Sequence, residues 1–214
     1  SEYMLGMLLQ IYYHLGTYHD NQKLRKWECV GEAKCIEGST VLILGLGDIG
    51  GSFARRMKAL GAYTIGLRRA DLNKPDYLDE LYLTQELDNL LPRADIVAMS
   101  LPATDQTYHI MGQKQLDLMK KDAVLINVGR GTCLDTQALC NCLERGHLLG
   151  VALDVVDPEP LPADHPLWTY PNAYITPHIS GVHNLPETVE RIVRLCARNL
   201  KAYLAGGELE NIID

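Results

Sequence analysis

The sequence predicts an α/β protein built on a doubly wound, mostly parallel sheet. Three observations lead there. From Thr40 onward, short apolar runs alternate with segments of helical periodicity. The first run, Thr40-Val41-Leu42-Ile43-Leu44, has no polar alternation after its first residue, as a strand buried on both faces requires. A glycine-patterned turn, Gly45-Leu46-Gly47-Asp48-Ile49-Gly50, joins that run to the helix that follows.

In chain order, Met4 to Tyr18 has helical apolar spacing, followed by an irregular arm around Trp27. After the first strand, a helix is expected near Ile49 to Leu60, with Phe53, Met57 and Leu60 inward and Gly61 closing it. Strands are expected at Tyr63 to Leu67, Asp95 to Ser100, Ala123 to Val128, Leu148 to Asp154 and Ala173 to Thr176. Helices are expected at Thr84 to Leu91, Lys114 to Met119, Thr136 to Arg145 with Asp135 as its N-cap, and Glu187 to Ala205 behind Pro186. Asp157 to Pro171 is dense in proline, so it reads as a stiff ordered loop.

Bulk properties narrow the function. The 214 residues carry a formal net charge of -7 and are 47% hydrophobic and 22% charged. An acidic chain without a basic run is a poor phosphate-contacting partner for nucleic acid. No apolar stretch is long enough to span a bilayer, and Met4 to Leu15 lacks the basic flank of a signal peptide. The six cysteines form no C-x-x-C pair and have no histidine at zinc spacing, so reduced thiols of a cytoplasmic protein, and no metal, are expected. Ser1 opens the chain and Glu2 to Leu15 already reads as mid-protein helix, which suggests part of a longer protein.

The glycine turn carries the first chemical signal. Gly45 permits the tight turn. Gly47 lets bare backbone approach a pyrophosphate drawn to the helix N-terminus, where Asp48 and Ile49 lie. Gly50 allows close helix–strand packing. Preceded by a strand and opening a helix, this is the fingerprint of a dinucleotide-binding (Rossmann) domain; the alternative is a turn without ligand. The end of the second strand bears on which dinucleotide binds. There the chain reads Gly66-Leu67-Arg68-Arg69, with no acid before Asp71. Arg68 and Arg69 can pair with a ribose 2′-phosphate, which a carboxylate would repel. NADP(H) is therefore the expected cofactor, with NAD(H) also accepted; the alternative is a solvated basic pair.

Three later segments follow predicted strands: Ile126 to Gly131, Ala152 to Pro162 and Ile175 to Gly181. With Ser100-Leu101-Pro102, Thr107, Met119-Lys120 and Ala163 to Trp168, they resemble the D-isomer-specific 2-hydroxyacid dehydrogenases in unbroken order from about Trp27 to Gly181. The resemblance implies that Arg130, Glu159 and His178 form a catalytic set. Arg130 would clamp a keto acid, His178 would be the general acid, and Glu159 would orient the imidazole and raise its basicity. It also implies that Asp154 meets the nicotinamide carboxamide, and that Leu101, Pro102, Thr107, Val128, Gly129, Arg130, His178 and Gly181 line the cofactor. Singly, each has a plainer reading: Arg130 as a surface cation, Glu159 as a loop residue with Asp157 its rival, His178 as a structural histidine. His178 and His183 are five apart with no third ligand evident, which does not suit a metal.

The resemblance further implies an incomplete substrate domain: residues 1–30 as an interdomain and dimerisation segment, 31–183 as the dinucleotide domain, and 184–214 as a helix completing the substrate domain. Apolar surface on Met4 to Tyr13 and Leu195 to Leu204 would then be partly uncovered, and the chain alone would hold the cofactor without turnover. The expected activity is reduction of a small 2-keto acid such as glyoxylate or hydroxypyruvate by a homodimer that contacts neither membrane nor nucleic acid. Alternatives are 3-phosphoglycerate dehydrogenase and, from another class, a dinucleotide-sensing corepressor-like regulator. A short-chain dehydrogenase is disfavoured because no Tyr is followed four residues later by Lys.

Overall fold

The computed structural model describes residues 1–70, 73–181 and 185–212, so Asp71 and His183 lie outside the described residues. The chain divides into two compact units, Ser1–Pro177 and His178–Asp214, each described here by itself.

The first unit is a seven-stranded sheet in which every pairing is parallel. Its strands are β1 (Thr40–Leu44), β2 (Tyr63–Arg68), β3 (Glu80–Leu83), β4 (Ile96–Met99), β5 (Val124–Asn127), β6 (Gly150–Leu153) and β7 (Ala173–Ile175), in the spatial order β3-β2-β1-β4-β5-β6-β7. The order reverses between β1 and β4, which opens a crevice beyond their C-terminal ends.

Side-chain alternation divides the core into two layers. Leu42, Leu44, Val97, Met99, Leu125, Val151 and Leu153 face one way. They pack against α4 (Leu87–Leu90), α5 (Gln113–Leu118) and α6 (Thr136–Glu144), through Leu87, Leu116 and Leu139 among others. Val41, Ile43, Ile96, Ala98, Val124, Ile126 and Ala152 face the other way, against α1 (Glu2–Tyr12) and α3 (Asp48–Ala59). Phe53 and Met57 of α3 are fully buried there, and each such side chain contributes about 2 kcal/mol of burial. The strands therefore read as uninterrupted apolar runs because neither face meets water.

Most expected elements are present, with boundary shifts of one or two residues. Asp135 caps α6, its Oδ1 accepting from the Ala138 N–H at 3.0 Å. Leu60, expected to face inward, is instead 44% exposed at the C-cap of α3. Three further features differ. The first helical segment is broken: α1 stops at Tyr12, and α2 (Leu15–Lys23) restarts after His14, whose φ of 53° lies in the left-handed region that ends a helix. The segment expected as one helix at Thr84 to Leu91 is a short α4 flanked by 3₁₀ turns. β3 was not expected, because Glu80-Leu81-Tyr82-Leu83 is a half-buried edge strand without an apolar run.

The apolar face of α1, expected to lie partly uncovered, is instead covered by its own chain. Met4, Leu8, Ile11 and Tyr12 are buried against the sheet, and Gly150 at the start of β6 leaves room for the Ile11 side chain. In the second unit, α7 (Pro186–Leu204) is amphipathic with no buried residue, and Ile192, Leu200, Tyr203 and Leu204 are exposed. Among the described residues no helix is long and apolar enough to cross a membrane.

The β3 edge is secured by a polar knot. The Glu80 carboxylate accepts from Tyr63, from Tyr82 and from both terminal nitrogens of Arg93. The Arg93 pair and the two hydroxyls pull its pKa from the usual 4.5 to about 2. The folded-state pKa is the lower one, so the knot stabilises fully above about pH 4.5 and is lost as pH falls toward 2. Glu80→Gln is therefore expected to cost about 1 kcal/mol at neutral pH, modest because Arg93 is screened by solvent. It should also flatten the decline of melting temperature below pH 4.5; an unchanged acid limb in pH-resolved thermal melts would show that the knot is not responsible.

Candidate functional site

The parallel ladder runs one residue past each strand, and this places the candidate residues in register. Gly45 N–H donates to the Leu67 carbonyl, Ser100 N–H to Leu44, Val128 N–H to Met99, Asp154 N–H to Asn127 and Thr176 N–H to Leu153, all at 2.9–3.1 Å. The loops that follow β1, β4, β5, β6 and β7 thus leave the sheet side by side along one edge.

The glycines of the turn after β1 serve different purposes. Gly45 has φ of +90°, and a Cβ there would lie 2.9 Å from the Ser100 carbonyl oxygen. A Cβ on Gly50 would lie 1.9 Å from the Gly45 carbonyl oxygen, which no side-chain movement can relieve. These two glycines are demanded by the protein's own packing. Gly47 is not: among the described residues no atom lies within 4 Å of where its Cβ would sit. It is the N-cap of α3 and supplies no side-chain cap, so bare backbone and the positive end of the helix face open space. An uncapped helix N-terminus beside a side-chain-free residue fits a phosphate.

A cleft of about 940 Å³ extends from this turn, lined by Gly45, Leu46, Gly47, Arg68, Arg69, Leu101, Pro102 and Thr107. Its size suits a small-molecule or cofactor site. Thr84, Gln85, Leu87 and Ile110 add to the wall; none was expected at the site, since the first three come from the short helical turns after β3 and the last from the loop after β4. The Thr84 hydroxyl donates to the Arg68 carbonyl at 3.2 Å, tying that wall to the end of β2. The Thr107 hydroxyl is engaged within its own loop, donating to the Pro102 carbonyl at 2.6 Å and accepting from Thr104 N–H at 2.9 Å. It shapes the turn.

The loop after β5 is gripped from three sides. A Cβ on Gly129 would lie 2.5 Å from the Leu101 carbonyl oxygen, and one on Gly131 would lie 1.9 Å from that of Val156. From below, buried Asn127 accepts from Gly129 N–H through Oδ1 and donates from Nδ2 to the Arg130 carbonyl, each at 3.0 Å. Asn127 was missed as a functional residue, although a lone amide closing an apolar strand is a signal. The result is an Arg130 with fixed backbone and an exposed side chain whose Nη1 donates to the Gly129 carbonyl at 2.7 Å.

After β6, Asp154 is buried to 1% exposure, and its Oδ1 accepts from the Thr176 hydroxyl at 2.6 Å. Thr176 in turn meets the Tyr3 hydroxyl at 2.5 Å. Glu159 is exposed in the proline-rich loop. That loop is ordered as expected: Thr136 donates to the Asp157 carbonyl at 2.9 Å, and the Trp168 indole donates to the Pro162 carbonyl at 2.8 Å. The first unit therefore carries all the expected site residues except His178, whose φ is +55°, and Gly181, which belong to the second.

Comparison with known proteins agrees with the fold. Residues 5–180 match the model of the D-isomer specific 2-hydroxyacid dehydrogenase, NAD binding domain. A glyoxylate reductase of Thermofilum pendens is 38% identical over 174 residues, covering 80% of this chain and 50% of the relative. A D-isomer specific 2-hydroxyacid dehydrogenase family protein from Aeromonas salmonicida is 35% identical with a TM-score of 0.87, over all of this chain and 67% of that one. An NADPH-dependent glyoxylate/hydroxypyruvate reductase from Sinorhizobium meliloti, solved with NADP and sulfate, has a TM-score of 0.86 at 27% identity, with coverage of 100% and 67%. The chain spans about half the length of the curated glyoxylate reductases it matches.

The two kinds of glycine should separate by experiment. Gly50→Ala is expected to cost about 3 kcal/mol of stability or more, since backbone must move. Gly47→Ala should stay within about 1 kcal/mol of the parent yet weaken dinucleotide binding about tenfold. Thermal melts with fluorescence titration measure both; unaltered binding by the Gly47 variant would remove this turn from the site.

Proposed function

Because the chain belongs to the D-isomer-specific 2-hydroxyacid dehydrogenase family, through that family's NAD-binding domain, we propose that it is the cofactor-holding part of an oxidoreductase. This enzyme reduces a small 2-keto acid of the glyoxylate or hydroxypyruvate type to the D-2-hydroxy acid, with NADPH preferred. The observation that carries the reading is the alignment, along one sheet edge, of an uncapped helix N-terminus, a basic pair and a rigidly held arginine loop. The names of the relatives, glyoxylate reductase among them, point the same way.

The residues divide the work. The N-terminal amides of α3 take the pyrophosphate, with Gly47 leaving room for it. Arg68 and Arg69 meet the 2′-phosphate. Leu101 and Pro102 line the cleft, the Val128–Gly129 segment continues the cofactor's path beside them, and Asp154 takes the carboxamide. When bound, the reduced nicotinamide supplies the hydride that reaches the substrate's C2. Arg130 holds the substrate carboxylate with its planar fork and stabilises charge growing on the carbonyl oxygen. His178 gives that oxygen its proton as general acid, with Glu159 in the supporting role that the family resemblance assigns it. The hydride and one proton together convert C=O to CH–OH.

Leu24 and Trp27 stand exposed after α2, which suits pairing of two copies through this arm as in the family. Six free thiols suit a reducing cytoplasm.

The protein at its full natural length should oxidise NADPH with glyoxylate or hydroxypyruvate, followed by absorbance. His178→Ala should lower turnover by about 10²–10⁴ while sparing cofactor affinity. Arg68→Ala with Arg69→Ala should weaken NADPH about tenfold and leave NADH unchanged. Equal affinity of the parent for both cofactors would sink the preference. No oxidation with any keto acid would favour a dinucleotide-sensing regulator, and preference for NADH with a phosphorylated keto acid would favour 3-phosphoglycerate dehydrogenase.

A further inference from the structure

We infer that Tyr3 and Thr176 are positioning residues for the Asp154 carboxylate, so that the N-terminal helix helps set how the nicotinamide end of the cofactor is held. The inference rests on the reading of Asp154 as the carboxamide partner.

Among the described residues no other carboxylate is buried as completely as Asp154. A buried charge is tolerated only where hydrogen bonds replace water. The sheet supplies the first: Leu153 and Ile175 are register partners, so Asp154 and Thr176, one residue on, leave neighbouring strands side by side. The Thr176 hydroxyl approaches Oδ1 at 2.6 Å. An ionised carboxylate only accepts, so Thr176 spends its single proton there. Its oxygen must then accept from the next hydroxyl, which is Tyr3 at 2.5 Å, contributed by α1 from 173 residues away. The direction is fixed: Tyr3 donates to Thr176, and Thr176 donates to Asp154.

Such a chain is stronger than its links taken singly, because each donor is polarised by the next. Burial raises the Tyr3 phenol pKa, and the negative charge of Asp154 adds to this against the opposing Thr176 bond, so the phenol keeps its proton and remains a donor. α1 packs across β5 and β6 through Met4, Leu8 and Ile11, so Tyr3 is delivered by a rigid element. The relay fixes the direction of the Asp154 carboxylate. A carboxylate so held presents an acceptor to an amide N–H, and the amide of a nicotinamide has two such donors.

The test uses the 214-residue chain and two probes: NADPH, and 2′-phospho-ADP-ribose, which has the same phosphates and no nicotinamide. Tyr3→Phe and Thr176→Val are expected to weaken NADPH about tenfold while leaving 2′-phospho-ADP-ribose within twofold. Thr176→Ser, which keeps the hydroxyl, should restore NADPH affinity. Equal losses for both probes, or no loss for NADPH, would overturn the inference by making the relay merely structural. Asp154→Asn serves as the reference. If it shifts the ratio of the two affinities and Tyr3→Phe does not, the relay is wrong while the Asp154 reading stands. If Asp154→Asn leaves the ratio unmoved, the carboxamide reading falls and the relay with it. Melting temperatures of each variant identify any that fail to fold, and Thr176→Ser keeps the comparison decisive in that event.

Discussion

Everything at the working edge depends on bare backbone approaching bare backbone. The turn after β1 closes on itself at Gly50 and on the β4 loop at Gly45; the β5 loop closes on the β4 loop at Gly129 and on the β6 loop at Gly131. At each point a Cβ would fall within 3 Å of a carbonyl oxygen. Four loops are thereby locked into one rigid rim, mostly backbone against backbone, with the Ser100 hydroxyl donating to the Gly45 carbonyl at 3.0 Å. The parallel sheet makes this necessary. With both faces covered by helices, its strand ends are the remaining open surface, and loops crowding there must shed their side chains to come close.

Charge is distributed along that rim in a definite order. Positive potential collects on the β1–β2 side, from the α3 N-terminus, Arg68 and Arg69. The buried carboxylate of Asp154 lies three strands away, at the end of β6. NADPH has a related polarity, with a central pyrophosphate, a further phosphate on its adenosine side and a neutral, amide-bearing dihydronicotinamide at the far end. Arg130 sits between, on a loop whose backbone is held by Asn127 from beneath and by glycine contacts on both flanks. Its side chain is exposed, with Nη1 donating to the Gly129 carbonyl at 2.7 Å, while its main chain is held in place.

How much of this was legible in the sequence follows from the range of the forces involved. Val41 to Leu44, Phe53 with Met57, and the Asp135 cap are local patterns whose reading needs only a few neighbours, and they formed as expected. β3 escaped because an edge strand may keep Glu80 and Tyr82 half wet, which removes the apolar run that reveals a strand. The break at His14 was hidden by apolar spacing that continues through it; only the left-handed backbone shows it. The site motifs were legible as blocks because each loop leaves its own strand end. The Tyr3–Thr176 link was not, since nothing in either segment points to a partner so distant in the chain.

The cover that α1 provides for β5 and β6 also has a cost in time. During synthesis Met4, Leu8, Ile11 and Tyr12 emerge long before the strands that will bury them. At ordinary ribosomal speed the delay is on the order of ten seconds. Through most of that interval α1 can dock only partially, on α3, and its full burial depends on β5 and β6, which are made later. The finished protein bears no mark of this dependence, because the same residues become the floor of the domain once β6 arrives.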